Sequence, residues 1–471
     1  MYAGPYTYAN ELAFGYDTGE FSTDNVNYNK AKPHKKHRGR YYRGRPTVNY
    51  IAHQNAVPQD SYVDYVYTTS GTWAAKHPKS IRAYNSLGQE ITLYTNTGVT
   101  DWTNTYHAHW QYDDILKKPV TVMDAFDSNW KAKSFATGIA SFASLGLTAG
   151  SKYVISWLQY TTNLSKSPHV GLYTKNSSNS SNFWDGLSNN STTSRNTKTH
   201  TWQRVYHVYT VSATRDLNNA YASIYMYGHH FINGAGITLK IADVQLELGI
   251  DHPTSYIEPD PTSSIASRSN TESLINIANN TGIDVSTVSY GENGFITFDG
   301  TDDYITMGDL VPDTSWSEPW SIEVVFNIPS SYTWNTSRYT TIMGRGSYGG
   351  SHGLVLDTTD NRIRAYIRAD NGTRSVTAGI TRDTYYYAVM TWNGTDLNLY
   401  VNGALIGTNS GARTGVPDGG DWFVARARAY SGSLGGWFTG RIPVAKLHNI
   451  SLSSAKIKQN FRAYRNRFKL S

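Results

Sequence analysis

The 471-residue sequence contains no cysteine. That excludes disulfide staples, thiolate zinc sites and a thiol nucleophile. No apolar run approaches the roughly 20 residues that a membrane-spanning helix needs, so no membrane partner is expected. The start, Met1-Tyr-Ala-Gly-Pro-Tyr-Thr-Tyr, lacks a basic stretch followed by an apolar one. No secretory leader is expected, and synthesis in a cytoplasm is. Charged residues make up only 17%, and glutamate occurs at just nine positions, which suits helical bundles poorly.

Aromatic and small polar residues take the place of what is missing. The chain holds 36 Tyr, 13 Trp and 40 Gly, a mix suited to twisted sheets joined by turns. The net charge of +6 is local. Eight basic residues (Lys30, Lys32, Lys35, Lys36, Arg38, Arg40, Arg43, Arg45) fall in one stretch without an acid, and without them the balance becomes −2. Residues 1–46 show no sustained periodicity and read as an extended arm that orders against a partner. The arm docks on an acidic protein surface, or as the second choice neutralises phosphates of a nucleic acid, or is a solvated linker. Docking is the expectation. Deleting 1–46 is then expected to leave the rest folded.

Short strands with turn-rich joints fill the remainder, so the expected fold class is all-β, with two tandem jelly-roll sandwiches. The first sandwich is placed at 47–258. Within it Val154, Ser156, Leu158 and Tyr160 share one face of a strand, and Tyr153, Ile155, Trp157 and Gln159 the other. Residues 259–290 read as a linker opened by Pro259-Asp-Pro261, with Leu274–Ala278 as one turn or a short edge strand. The second sandwich is placed at 291–471. Asn293-Gly294, Asn371-Gly372, Asn393-Gly394 and Asn402-Gly403 mark its hairpins, since type I′ turns need positive φ. At 453–468, Ile457, Phe461, Tyr464 and Phe468 recur on one helical face, with Ser453 or Ser454 as cap. The helix either packs on its own sandwich or meets a neighbouring subunit.

Several residues carry candidate chemistry. Exposed aromatics stack on the apolar face of a pyranose, and Trp184, Trp334, Tyr339, Tyr348, Trp422 and Trp437 are the loop-borne candidates for a glycan. Most aromatics in such a chain are core, and each of these has that plainer reading. Asp299, Asp302 and Asp303 offer clustered oxygens that suit calcium; the plainer reading is a turn at Asp299-Gly300. His107 and His109 beside Trp110, and His229-His230 near Tyr227, have metal-ligand spacing but no third ligand; surface histidines are the plainer reading.

The pieces Phe298-Asp-Gly-Thr-Asp-Asp-Tyr-Ile305, Trp320-Ser-Ile-Glu-Val-Val-Phe326, Tyr387-Ala-Val-Met-Thr-Trp-Asn393, Leu399-Tyr-Val-Asn-Gly403 and Phe438-Thr-Gly-Arg-Ile442 resemble the laminin-G-like, concanavalin-A-like lectin family. Leu147-Thr-Ala-Gly-Ser-Lys-Tyr-Val-Ile-Ser-Trp157 and Ile241-Ala-Asp-Val-Gln-Leu-Glu-Leu-Gly249 resemble carbohydrate-binding-module jelly rolls. That second resemblance implies a structural calcium near Asp243. Catalytic relatives of the lectin family carry Glu-x-Asp-x-x-Glu on one strand. Here Glu318 and Glu323 keep the outer spacing, but Trp320 stands in the Asp position, Pro319 interrupts the strand, and a motif starting at Glu323 meets Val325. Glu318 is expected at a loop end and Glu323 on the strand surface, with no enzymatic activity.

The order Asp243-Val-Gln-Leu-Glu-Leu-Gly249, Pro253-Thr-Ser-Tyr-Ile-Glu258, Arg268-Ser-Asn-Thr271, then the Phe298 piece, resembles structural proteins of tailed bacteriophages. So does the ending Asn460-Phe-Arg-Ala-Tyr-Arg-Asn-Arg-Phe468. The resemblance implies a virion component of the tail-fibre, tail-accessory or capsid-decoration kind, made in the host cytoplasm. Its partners would be other virion proteins, further copies of itself (a trimer is common for fibres) and a host surface glycan. Two other readings stand beside it: a secreted or cell-surface carbohydrate-binding protein, and a polysaccharide-degrading enzyme.

Overall fold

The structure, a computed structural model, describes residues 11–18, 44–49, 148–164, 196–210, 238–257, 266–279, 281–291, 295–310, 315–334, 339–345, 352–358, 361–415, 420–428 and 434–471. It also describes the backbone at 64–67, 73–76, 80–84, 90–95, 108–116, 118–123, 131–136, 169–175, 182–186 and 222–227. The chain divides into two compact units, and both are β-structure as expected. One holds Thr47–Arg268; the other holds Ser269–Ser471 together with the start of the chain.

In the first unit a five-stranded sheet runs in the order Gln203–Thr210, Lys152–Thr161, Leu239–Leu248, Lys118–Met123, Ala108–Asp113. A six-stranded sheet runs Asn182–Gly186, His169–Lys175, Ala222–Tyr227, Lys131–Ala136, Asp64–Tyr67, Trp73–Lys76. Lys152–Thr161 lies between two neighbours, and Tyr153 through Gln159 are buried on both its faces. The chain following the Asp243–Gly249 motif is held by that motif's own side chains. Gln245 Oε1 accepts from Ile257 N at 2.7 Å, and Glu247 accepts from Thr254 N at 3.0 Å and from its hydroxyl at 2.5 Å. Buried acceptors need such donors, which gives the motif a structural role.

The second unit is a sandwich. Its strands are β1 (Leu12–Asp17), β2 (Ile296–Asp299), β3 (Ile305–Gly308), β4 (Trp320–Asn327), β5 (Thr340–Arg345), β6 (His352–Leu356), β7 (Arg362–Ala369), β8 (Gly372–Gly379), β9 (Tyr385–Trp392), β10 (Asp396–Val401), β11 (Ala404–Ser410), β12 (Trp422–Val424) and β13 (Thr439–His448). The helix α1 (Ser454–Phe468) follows. One sheet runs β2-β13-β4-β9-β10-β11, and the other β3-β12-β5-β6-β7-β8. Between them lies one core: Trp316, Trp320, Ile322, Phe326, Leu354, Ile363, Trp392, Trp422 and Ile442 are among its fully enclosed residues. Alternation sets the inward residues, as in Arg362–Ala369, where Ile363, Ala365, Ile367 and Ala369 are buried and the residues between them are not. Of the four Asn-Gly signals, only Asn402-Gly403 has positive φ at both residues, joining β10 to β11. At 371–372 and 393–394 the glycine alone does, and Asn293-Gly294 lies outside the described residues.

Two expectations need correction. The presumed arm contributes β1, which pairs antiparallel with β13 from Leu12↔His448 to Asp17↔Val444. β2 meets only the other end of β13, at Gly440 and Thr439, so β1 covers edge hydrogen-bonding groups that would otherwise be open. Leu12, Phe14 and Tyr16 are buried. Asp17 receives Arg467 of α1 through two hydrogen bonds, at 2.8 and 2.5 Å. The alternation of Leu12, Phe14 and Tyr16 with Ala13 and Gly15 is short and sits beside a Gly/Asn-rich stretch, which is why it reads as irregular. Likewise the presumed linker is packed where it is described, although its Leu274–Ala278 piece does hold a short strand, one of its two expected forms. Ala266–Arg268 pairs with Thr47–Asn49, and Leu274–Ile275 pairs with Gly282–Ile283, with Leu274 and Ile283 in the second core. Of the basic run only Arg45 lies within the described residues; its guanidinium sits 5.7 Å from the Tyr290 ring.

α1 follows the expectation closely. Ser453 caps it by accepting from Lys456 N, and Ile457, Tyr464 and Phe468 pack with Val325, Tyr387, Val389 and Val444 on the outside of the first-named sheet. No described helix is long and apolar enough to cross a membrane.

Candidate functional site

The sandwich has two outer faces, and α1 closes one of them. Beneath the helix lies a buried polar cluster. Glu323 is 0% exposed. It accepts from Tyr387 OH at 3.1 Å and from Asn460 Nδ2 at 2.9 Å, pairs with His448 Nε2 at 2.9 Å, and has Lys446 Nζ at 3.9 Å. Burial alone would raise its pKa, but Lys446, His448 and Tyr387 together hold it below the ordinary carboxylate value. The expected surface position of Glu323 is therefore wrong: it faces outward from the strand but under a helix. Glu318 lies in the turn before β4, as expected.

The other outer face belongs to β3-β12-β5-β6-β7-β8. Register places Thr306, Phe423, Gly344, Gly353, Tyr366 and Ser375 in one row across it. The two central members are glycines because the backbones there approach closely: a Cβ on Gly353 would lie 2.7 Å from Met343 O. They form a buried floor two strands wide, about 10 Å across at ordinary strand spacing. Aromatic and arginine side chains flank it, Phe423 and Arg426 buried and Tyr304, Tyr366 and Trp437 half-buried.

On one flank the Arg426 guanidinium sits 3.8 Å from the Tyr304 ring, 4.1 Å from Phe423 and 5.8 Å from Trp437. Arg426 is 7% exposed and its Nε and Nη1 have no hydrogen-bond partner. Burial pushes its pKa down, against the pull of Tyr304 and Asp421. On the other flank Tyr339, 40% exposed, stacks on Tyr366 at 6.0 Å and lies 5.2 Å from Arg364. Asp357 pairs with Arg364 at 2.8 Å. Aromatic faces beside fixed guanidinium donors can stack a sugar ring and bind its hydroxyls.

Of the aromatic candidates, this face gathers Tyr339 and Trp437. Trp334 is half-buried against the core and donates to Asp357 O at 2.6 Å, so its polar edge is occupied. Trp422 is fully buried and donates to Leu310 O at 2.7 Å; it is core, placed by inward alternation on β12. Trp184 lies on a strand opposite Tyr173, and its side chain lies outside the described residues, as do Tyr348, His107, His229 and His230. His109 and Trp110 are placed only as backbone in Ala108–Asp113. Tyr304, Phe423, Arg426, Tyr366 and Arg364 were not foreseen. The alternation Arg362-x-Arg364-x-Tyr366-x-Arg368 was a signal for an outward polar row.

Asp299, Asp302 and Asp303 bring carboxylate oxygens within 4.8 Å of one another. Those oxygens close a turn. Asp299 Oδ1 accepts from Thr301 N at 2.7 Å, and buried Asp303 accepts from Asp299 N at 2.8 Å and Ser289 N at 3.2 Å. Burial raises the Asp303 pKa, against the pull of its Ser289 and Asp299 donors. Asp243 sits at positive φ beside a register break, and its carbonyl accepts from the buried Arg204 Nη1 at 2.9 Å.

With this geometry in place, the concanavalin A-like lectin/glucanases superfamily matches at residues 299–458. That span is a lectin-fold domain. No curated protein matches the sequence. Among solved structures, the binding domain of Paraclostridial Mosquitocidal Protein 1 is 14% identical over 41% of this chain and 50% of that one, with a TM-score of 0.31. The botulinum neurotoxin serotype D binding domain is 12% identical over 41% and 49%, with a TM-score of 0.29. The Trypanosoma rangeli sialidase in complex with sialic acid is 14% identical over 41% and 31%, with a TM-score of 0.30.

Proposed function

We propose that the protein binds glycan without cleaving it, on the outer face of the six-stranded sheet of its lectin-fold domain. The observation that carries this is the aromatic and arginine pair of flanks, Tyr304–Phe423–Arg426–Trp437 and Tyr339–Tyr366–Arg364, on either side of a glycine floor. The opposite face is covered by α1, and among the described residues it offers no comparable surface. Hydrolysis of a glycoside generally needs two carboxylates facing one space. Glu323, one of the pair with the required spacing, is enclosed beneath the helix, bonded to Tyr387, His448 and Asn460.

The finer reading is that of a virion component of a tailed bacteriophage. It would be made in the host cytoplasm, assembled with other virion proteins and with copies of itself, and would present the lectin face to a host glycan. The sequence resemblance to such proteins supports it. With residues 11–18 built into the sandwich, docking falls to the basic run between Lys30 and Arg43.

Glycan-array screening of the full chain tests the first part. Binding that Tyr339→Ala and Trp437→Ala each weaken by tenfold or more supports the face; binding that survives both places the site elsewhere. Release of reducing ends from a bound polysaccharide would overturn the non-enzymatic reading. Imaging of particles tests the virion reading, which fails if the protein is found only free of particles.

A further inference from the structure

Away from the proposed glycan face, β8 and β11 bring the free edges of the two sheets together. Inward positions along β8 begin apolar from the far end: Ala378, then Val376, whose methyl packs on Gly407 of β11. The next inward residue is Arg374, opposite Ile367 in the register. A second guanidinium, that of Arg413, comes from the chain after β11 and is 9% exposed. The two cations are close enough that Arg374, together with burial, pushes the Arg413 pKa down.

Hydrogen bonds orient Arg413 in one sense. Its Nη1 donates to Asn371 Oδ1 at 2.9 Å and to Gly372 O at 3.0 Å. Its Nε and Nη2 have no partner, and neither has Arg374 Nε. Arg374 Nη1 reaches Asn409 Oδ1 at 3.4 Å. Gly411, at φ +135, lies directly against the Arg374 guanidinium, where any Cβ would collide with it. Among the described residues no carboxylate pairs with either arginine.

Nε and Nη2 are the two parallel donors with which arginine takes a planar carboxylate side-on. An inward arginine also protects a sheet edge from pairing, but edge protection needs one charge, exposed to water. It does not account for two neighbouring guanidiniums, one of them enclosed with its fork unpaired, an arrangement that is unfavourable unless an anion joins it.

We propose that Arg374 and Arg413 form an anion subsite at this edge, which takes the carboxylate of an acidic sugar. The sugar rests on the glycan-binding reading above; the charge preference rests on these two residues alone.

Calorimetric titration of the full chain with tetragalacturonate and with neutral tetragalactose tests it. The acidic sugar is expected to bind at least tenfold tighter. Arg413→Gln and Arg374→Gln each bring the two affinities together, and Arg413→Lys, which keeps the charge but not the fork, recovers little of the difference. Should Arg413→Gln fail to fold, Asn371→Ala, which removes the acceptor that orients Arg413 and a donor to Ala412 O, is expected to narrow the difference as well. Tyr339→Ala and Trp437→Ala separate the two ideas: they weaken the neutral sugar if the outer-face reading holds and leave it unchanged if it fails, while the acid preference persists in both cases. Equal affinity for the two sugars in the wild type, binding of neither, or an undiminished preference in the folded arginine variants overturns the subsite. A hexaglutamate peptide bound as tightly as the acidic sugar overturns the choice of a sugar.

Discussion

The two outer faces of the lectin-fold sandwich are built from the same alternation yet end in opposite states. On β4, β9 and β13 the outward residues include Glu323, Tyr387, Lys446 and His448, charged and polar groups that are at most 1% exposed because α1 lies over them. On β7 and β12 the outward residues include Tyr366 and Phe423, with Tyr339, Trp437 and Arg426 around them, and here water or a ligand reaches the flanks. Strand pattern alone sets inside against outside. Which outside is sealed depends on what the chain lays across it afterwards.

The sealed face is also where the chain's ends join. Asp17 of β1 and Arg467 of α1 form a bidentate pair, and Arg467 stacks 4.7 Å from Phe468. The sharpest way to break the comparison is therefore to remove β1. Deleting residues 1–18 exposes the surfaces covered by Leu12, Phe14 and Tyr16, each worth roughly 1.5–3 kcal/mol, and strips Arg467 of its partner. The expected result is loss of the cooperative unfolding transition of the second unit in urea. A truncated chain with an unchanged midpoint would show that β1 is dispensable.

Next in size is Glu323→Ala. Removing one member of a buried ionic cluster typically costs about 3–5 kcal/mol, and Lys446 would be left without its carboxylate. Unfolding in urea should register that loss. Glycan affinity of the folded fraction should not change, because Glu323 faces α1 and the proposed site faces the other way. A large change in affinity with normal stability would mean that the two faces communicate.

Acid tests the same cluster more gently. The folded-state pKa of Glu323 is depressed. Its contribution is therefore fully present above the ordinary glutamate value of about 4.3 and is lost as pH falls through the lower folded value. Stability of the second unit should accordingly fall in that acid window, and the fall should be shallower in Glu323→Gln. An identical acid profile in the variant would assign the loss to other carboxylates.

How much of this was legible in the sequence differs between the faces. α1 was readable in register and cap, since Ile457, Phe461, Tyr464 and Phe468 keep a helical period and Ser453 precedes them. What it covers was not. Glu323 sits among Ile322, Val324 and Val325 in a strand, and nothing local distinguishes an outward residue under a helix from one in water. Trp422 shows the same limit from the other side: it lies between Asp421 and Phe423 in a turn-rich stretch, and only pairing with β3 and β5 sends it inward. The open face could be read only in part. The Arg-x-Arg-x-Tyr-x-Arg row of β7 is visible as a pattern, but its meeting with Tyr339 and the assembly of Arg426 and Trp437 with Tyr304 depend on tertiary pairing, which in the case of Tyr304 joins residues more than 100 positions apart. β1 was missed for the same reason, as its partner is over 400 residues away.

On the open face the effects on stability should be small and those on binding large. Tyr339→Ala removes a ring that is 40% exposed, so stability should shift by no more than about 0.5 kcal/mol. A tenfold loss of glycan affinity corresponds to about 1.4 kcal/mol. A variant that loses stability and keeps affinity would return Tyr339 to the core.

The smallest effect concerns the edge of that face, where Asp299, Asp302 and Asp303 adjoin Tyr304. If their oxygens served calcium, the ion would stiffen the Tyr304 flank and raise the unfolding free energy by about 2.7 kcal/mol at one hundred times its dissociation constant. The hydrogen bonds from Thr301, Asp299 and Ser289 backbone N–H groups already occupy Asp299 and Asp303. Millimolar calcium is therefore expected to leave the thermal midpoint where it is. Asp299→Asn, which keeps a turn-closing oxygen, should be nearly silent, whereas Asp299→Ala should cost about 1 kcal/mol as a lost hydrogen bond. A calcium-dependent rise that Asp299→Asn abolishes would reverse the assignment and make this edge a metal site that braces the open face.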